Sequence, residues 1–180
     1  MALISNGTTV ASGGAIIGAG GTHVKITDFS TTGNVTLSNI FTSTYERYFI
    51  SIKQFDGSGS GTIRYRFLTS GTTQETGYEY YGTRGRAGAS DENTDVSADY
   101  FWPTSQNFGN GGSMNIWVSH PQNSGIYSRV HATYSIPNGS TTATRNWMFG
   151  GYYNQNKTHT GFYIQKNTGT IEGTVYGISE

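Results

Sequence analysis

The sequence predicts an all-β protein, an antiparallel two-sheet sandwich of jelly-roll type with an extended N-terminal arm. Three observations lead there. From residue 23 onward apolar residues recur with period two rather than 3.6, the spacing of half-buried strands. The runs return about every 8 to 15 residues, separated by turns rich in Gly, Ser, Asn and Asp, and Pro stands only at 103, 121 and 137. The composition agrees, with 26 glycines, 14% aromatic and only 12% charged residues, against about 25% charged in an ordinary domain. A chain of 180 residues suits one domain with an appendage, and the aromatics supply the buried area that a disordered polar chain lacks.

Residues 1–22, MALISNGTTVASGGAIIGAGGT, carry no charge and six glycines. Too little is apolar to build a core, so this segment reads as an arm that orders against a partner through Leu3, Ile4, Val10, Ile16 and Ile17. The sandwich is expected over 23–180. HVKITDF (23–29) places Val24, Ile26 and Asp28 on one face, opposite Lys25, Thr27 and Phe29. NVTLSNIF follows a Thr-Thr-Gly-Asn turn. RYFISIKQF (47–55) aligns Tyr48, Ile50 and Ile52, and TIRYRFLTS (62–70) aligns Ile63, Tyr65 and Phe67. The Gly/Ser/Asp tract between these two predicts a hairpin. YEYY (78–81) reads as a short strand. GTRGRAGASDENTDVSAD (82–99) has no period, and a long structureless loop is expected there. Strands resume with Met114, Ile116 and Val118, then Val130, Ala132, Tyr134 and Ile136. RNWMFGGYY, TGFYIQK and TIEGTVYGI bring the total to nine or ten.

The chemistry sought in this chain is mostly missing. Without cysteine there is no disulfide, zinc thiolate or thiol nucleophile. His23, His120, His131 and His159 stand apart, with no ligand spacing, so neither a metal nor another cofactor is expected. His131 alternates with core residues and reads as solvent-facing. Asp91-Glu92-Asn93-Thr94-Asp95 opens like a calcium loop, but Val96 replaces the turn glycine and Trp102 the closing glutamate, which excludes an EF-hand. A looser calcium site in that loop stands against a solvated acidic loop. Gly18-Ala19-Gly20-Gly21 precedes a strand rather than the helix that a phosphate cradle needs. There is no G-x-S-x-G elbow, and Glu75, Glu79 and Glu172 lack partners for acid–base work. An enzyme is not expected.

Equal numbers of acidic and basic residues give zero net charge, which argues against nucleic acid as a partner. Arg64 and Arg66 cluster on one strand face and Arg84 and Arg86 in the long loop, and the loop arginines are better suited to docking on a neighbouring subunit than to stacking on bases. Nothing in the sequence is long and apolar enough to cross a membrane, and the start lacks the basic and apolar regions of an export signal. The tracts YEYYG and GGYYNQN nominate Tyr78, Tyr80, Tyr81, Tyr152 and Tyr153 for stacking on sugar rings or for subunit contacts. The aromatic surplus over one core predicts self-association, as a homotrimer.

Three stretches carry a resemblance. LSNIFTSTYERYFISI (37–52) holds Phe41-Thr42-Ser43-Thr44-Tyr45-Glu46-Arg47-Tyr48 ahead of a core strand. IRYRFLTSGT (63–72) alternates arginines and ends in Ser-Gly-Thr before YEYY. GTIEGTVYGIS (169–179) sets Gly173 and Gly177 about Tyr176. They resemble the small β-sandwich virion proteins of tailed bacteriophages and prophages, although Tyr176 follows Gly173 more closely than that family's ending has it, and 82–112 finds no counterpart. The resemblance implies a non-catalytic structural protein of head-decoration or tail-fibre type, made in the host bacterial cytoplasm and carried on the virion surface. Its partners would be other virion proteins of the capsid or tail lattice, reached here through the arm. A receptor-binding module that grips host surface glycan remains the second reading.

Overall fold

The computed structural model describes residues 3–5, 8–12, 15–16, 22–55, 63–86, 89–104, 111–137, 144–166 and 169–179. Among them there are strands and turns and no helix. The first three strands, β1 (Leu3–Ser5), β2 (Thr8–Ser12) and β3 (Ala15–Ile16), form an antiparallel sheet of their own. The expected arm therefore contains paired backbone. The side chains of Leu3, Ile4, Val10 and Ile16, and all of Ile17, lie outside the described residues.

The sandwich starts with β4 (Thr22–Thr32), β5 (Val35–Leu37), β6 (Arg47–Phe55), β7 (Ile63–Thr69) and β8 (Thr72–Thr73). It continues through β9 (Tyr78–Arg86), β10 (Ala89–Ala98), β11 (Phe101–Thr104) and β12 (Gly112–Ser119). It ends with β13 (Arg129–Pro137), β14 (Thr144–Tyr153), β15 (Gly161–Lys166) and β16 (Thr170–Ser179). Eight strands make one sheet in the order β10-β9-β14-β13-β12-β6-β16-β4. The second sheet runs β11-β7-β15-β5, with β8 on β7. Every described pairing is antiparallel, and the order is consistent with a jelly roll.

The core is the space between the inner faces of the two sheets, and period-two patterning fills it. The large sheet contributes Tyr48, Ile50 and Ile52, then Met114, Ile116 and Val118, and Val130, Ala132 and Tyr134, all buried. The small sheet answers with Ile63, Tyr65, Phe67, Phe101, Phe162 and Ile164. Tyr65 stacks on Phe162 with ring centroids 5.6 Å apart, and Phe67 meets Phe41, Phe101, Tyr153 and Phe162 edge-on. Burial alone holds the Tyr65 phenol far above its usual range.

The motifs of the resemblance fall on framework positions. The Tyr48 hydroxyl accepts from Thr42 N–H at 2.7 Å and donates to Thr42 C=O at 2.8 Å, which closes the Phe41–Tyr48 turn onto the core. A Cβ at Gly177 would lie 2.3 Å from the Tyr45 ring, so this glycine makes room for that tyrosine. Ser70 and Gly71 both have positive φ, 50° and 81°, the form of a two-residue hairpin turn joining β7 to β8.

Three sequence expectations are corrected. β6 and β7 do not form a hairpin: β6 pairs with β12 and β16, and β7 with β11, β15 and β8. Alternation shows that a strand has one buried face, and a strand facing it across the core carries the same signature as a hairpin partner. The expected loop at 82–99 is mostly a hairpin, with β9 running on to Arg86 and β10 returning along it from Ala89 to Ala98. β10 is an edge strand of the large sheet, and an edge strand needs no apolar run. In β4 a bulge shifts the register, since Lys25 faces Tyr176 while Thr27 faces Val175. The extra residue reverses the alternation, and Phe29 joins Ile26 against the core.

Candidate functional site

The outer face of the large sheet carries a row of rings in register. Pairing sets Tyr176 beside Phe49, Phe49 beside Trp117 and Trp117 beside His131. The contacts between them are 6.0, 5.2 and 5.4 Å between centroids. His23 closes one end, edge-on to Phe49 at 5.5 Å. At the other end the row meets Gly150, opposite His131 on one side and Tyr81 on the other. Tyr81 is 47% exposed, and His131 is exposed as its alternation predicts.

Gly150 thus floors a slot in an otherwise aromatic row. A Cβ built there would meet nothing within 4 Å. Along β14 the same outward parity brings Met148 and Tyr152 to the two open sides. Met148 is the most exposed of the described large apolar residues, at 57%. Tyr127 stacks on Tyr152 at 5.6 Å. Exposed apolar surface is usually scattered, and here Tyr81 and Met148 flank one glycine, with exposed Tyr127 next to them through Tyr152.

Polar groups rim the slot. The Tyr152 hydroxyl and Asn154 Nδ2 donate to the Glu79 carboxylate, the latter at 2.8 Å. These bonds hold the Glu79 carboxyl below its usual range and push the Tyr152 phenol up. Glu79 is therefore a fixed, ionised acceptor. Arg129 is exposed and pairs across the ladder with Tyr152. Beyond Met148 lies a trough of about 440 Å³ lined by Thr83, Ser113, Asn115, Thr133 and Asn146. Those side chains are neutral and offer both donors and acceptors.

The five tyrosines nominated from sequence divide by strand parity. Tyr78, Tyr80 and Tyr153 are buried, at 0%, 6% and 1% exposure, and serve the core rather than a ligand or subunit. The Tyr78 hydroxyl accepts from Phe67 N–H at 3.0 Å and donates to Gln74 C=O at 2.9 Å. Tyr81 and Tyr152 face outward. Phe49, Trp117 and Tyr176 were missed as surface groups, and their out-of-phase positions in otherwise alternating strands were the signal for them.

Other candidates resolve into structure. Arg64 and Arg66 lie over the Tyr100 ring, at 4.2 and 5.6 Å. Arg66 also donates to the Asp99 carbonyl at 2.9 Å and pairs with Glu75 at 3.2 Å. Both arginines are engaged within the chain. Asp91, Asn93 and Asp95 lie on extended β10, opposite Arg84, Gly82 and Tyr80, and a paired strand does not wrap an ion as a calcium loop does. Among the described residues no three His, Asp or Glu side chains converge on a metal position. His159 is fully buried, stacked on Phe67 at 4.2 Å with Nδ1 3.1 Å from Thr69 Oγ1, and Nε2 has no hydrogen-bond partner among the described residues. Burial lowers its pKa to about 3, so it stays neutral as a core group. Comparison with protein-family models, with curated proteins and with solved structures finds no match for this chain.

Proposed function

We propose that this chain is a non-catalytic structural protein of a tailed-phage virion, a head-decoration or fibre-type component displayed on the particle surface. The supporting observation is where the resembling motifs fall. Tyr48 with Thr42, Gly177 under Tyr45, and the Ser70-Gly71 turn all fix the sandwich framework. Such residues specify a scaffold, and a scaffold suits display. Residues 1–22 are the proposed attachment element, since β1–β3 pair with one another in a sheet separate from the sandwich. Their partners in this reading are the capsid or tail lattice, with a homotrimer multiplying weak arm contacts. Nucleic acid and membrane are not among them.

Deleting residues 1–22 is expected to leave a folded sandwich that no longer enters particles. Incorporation of the truncated chain at normal occupancy would refute arm attachment. Antibody labelling of the parent particle, imaged in negative stain, separates regular head coverage from a few copies at a fibre tip. A second reading, a receptor-binding module for host surface glycan, is favoured by the exposed rings gathered about Gly150 on one sheet face.

A further inference from the structure

We propose that the slot over Gly150 binds a single pyranose ring of a neutral oligosaccharide, and that the trough beyond Met148 takes the adjoining sugar. This deepens the glycan reading and rests on it.

The ladder of rings on the outer face is interrupted. Tyr176, Phe49, Trp117 and His131 occupy four successive strands, with centroids 5.2 to 6.0 Å apart. The next strand supplies Gly150, and the strand after it Tyr81. Strands two places apart are separated by about 9.5 Å. A ring between two stacking partners needs about 4.5 to 7 Å on each side. The gap therefore admits one ring standing between His131 and Tyr81, and not two.

Other strand glycines are there for packing, and Gly150 is not. Cβ atoms at Gly151, Gly161, Gly173 and Gly177 would lie 2.2 to 2.6 Å from atoms already in place. At Gly150 the space is empty. A glycine inside a strand weakens it unless something approaches closely, and among the described residues nothing does.

The surroundings specify what kind of ring. A sugar has apolar faces and a rim of hydroxyls that both donate and accept. The slot gives it aromatic walls, the Met148 side chain and Glu79, a carboxylate already oriented by Tyr152 and Asn154. Hydroxyls and amides line the trough beside Tyr134, Trp147 and Met148, with no charged side chain among its described lining residues. That chemistry matches a neutral polyhydroxylated chain. A nucleotide would bring phosphates to a protein of zero net charge.

The test uses the full chain and a panel of neutral hexasaccharides built from glucose, galactose, mannose or N-acetylglucosamine. Binding is followed by calorimetry and by saturation-transfer NMR. Gly150→Val fills the slot at a position with a strand-compatible φ, so its fold is expected to persist with an equal or higher melting temperature. Tyr81→Ala removes one wall. At least one wild-type complex is expected, weakened tenfold or more by either substitution. If wild type binds and both variants bind equally well, the slot assignment falls while the glycan reading stands. If no panel member binds at millimolar concentration, both fall. If Gly150→Val instead turns an oligomer into a monomer in sedimentation, the slot holds a second copy of this chain, and the sugar assignment is overturned.

Discussion

The core of the sandwich and the outer face of its large sheet use the same residue types to opposite ends. On the core-facing side aromatic rings are closed off from water, as Phe67 and Tyr153 are, and glycines exist because a ring or carbonyl already occupies the space a side chain would need. Gly151 is of that kind, with the Glu79 carbonyl and the Phe101 ring within 2.8 Å of a would-be Cβ. On the outer face the rings of Phe49, Trp117 and Tyr176 lean on one another half-exposed, and Gly150 leaves its space empty. Consecutive glycines thus belong to two different surfaces. Strand geometry alone makes the difference, because adjacent residues point to opposite sides of a sheet.

The largest expected contrast is between rings. Phe67→Ala removes a fully buried ring that touches five other rings, and should cost about 3 to 5 kcal/mol. Phe49→Ala should cost about 1 to 2 kcal/mol, because its ring is only partly buried on the outer face. Urea titration of both variants checks this, and equal losses would dissolve the distinction between the faces. Next comes Gly151→Ala, whose methyl must displace backbone at 2.6 Å. A loss of about 1 to 3 kcal/mol is expected from overpacking.

His159 sharpens the comparison through pH. Burial takes its pKa from 6.5 to about 3, so between those values the unfolded chain binds a proton that the folded chain refuses. Stability is full above pH 6.5 and falls as pH drops towards 3, by about 1.4 kcal/mol per unit. From pH 7 to pH 5 this amounts to about 2 kcal/mol. His159→Gln should flatten that slope, and outward-facing His131→Gln should leave it in place. Chemical denaturation at several pH values distinguishes them.

How much of this was legible in the sequence depended on which face a residue served. Tyr48, Ile50 and Ile52, or Met114, Ile116 and Val118, announce a buried face because apolar and polar residues alternate. β10 announces nothing, since an edge strand is held by backbone pairing with β9 and requires no apolar pattern. The bulge in β4 was hidden because its effect depends on the partner strand β16. Among the tyrosines the information was present but finer than tract composition. Tyr78 and Tyr80 share one parity and Tyr81 has the other, while Tyr153 shares the parity of buried Trp147 and Phe149. The slot itself needed the structure, because His131, Gly150 and Tyr81 become neighbours only through two registers.

The smallest expected effect has the opposite sign and bears most directly on the slot. Gly150→Ala adds a methyl where nothing lies within 4 Å, at a residue outside the positive-φ region. No strain opposes it, and alanine narrows the unfolded ensemble relative to glycine. A gain of about 0.5 to 1 kcal/mol is expected, against the loss at Gly151 one residue away. Thermal melts of the two variants beside wild type read the sign without any ligand. A clear loss at Gly150 would mean that neighbouring groups already use the space, and the slot would then be part of the packing. A gain would mean that folding alone favours a side chain at this position, which leaves binding as the physical reason for a glycine there.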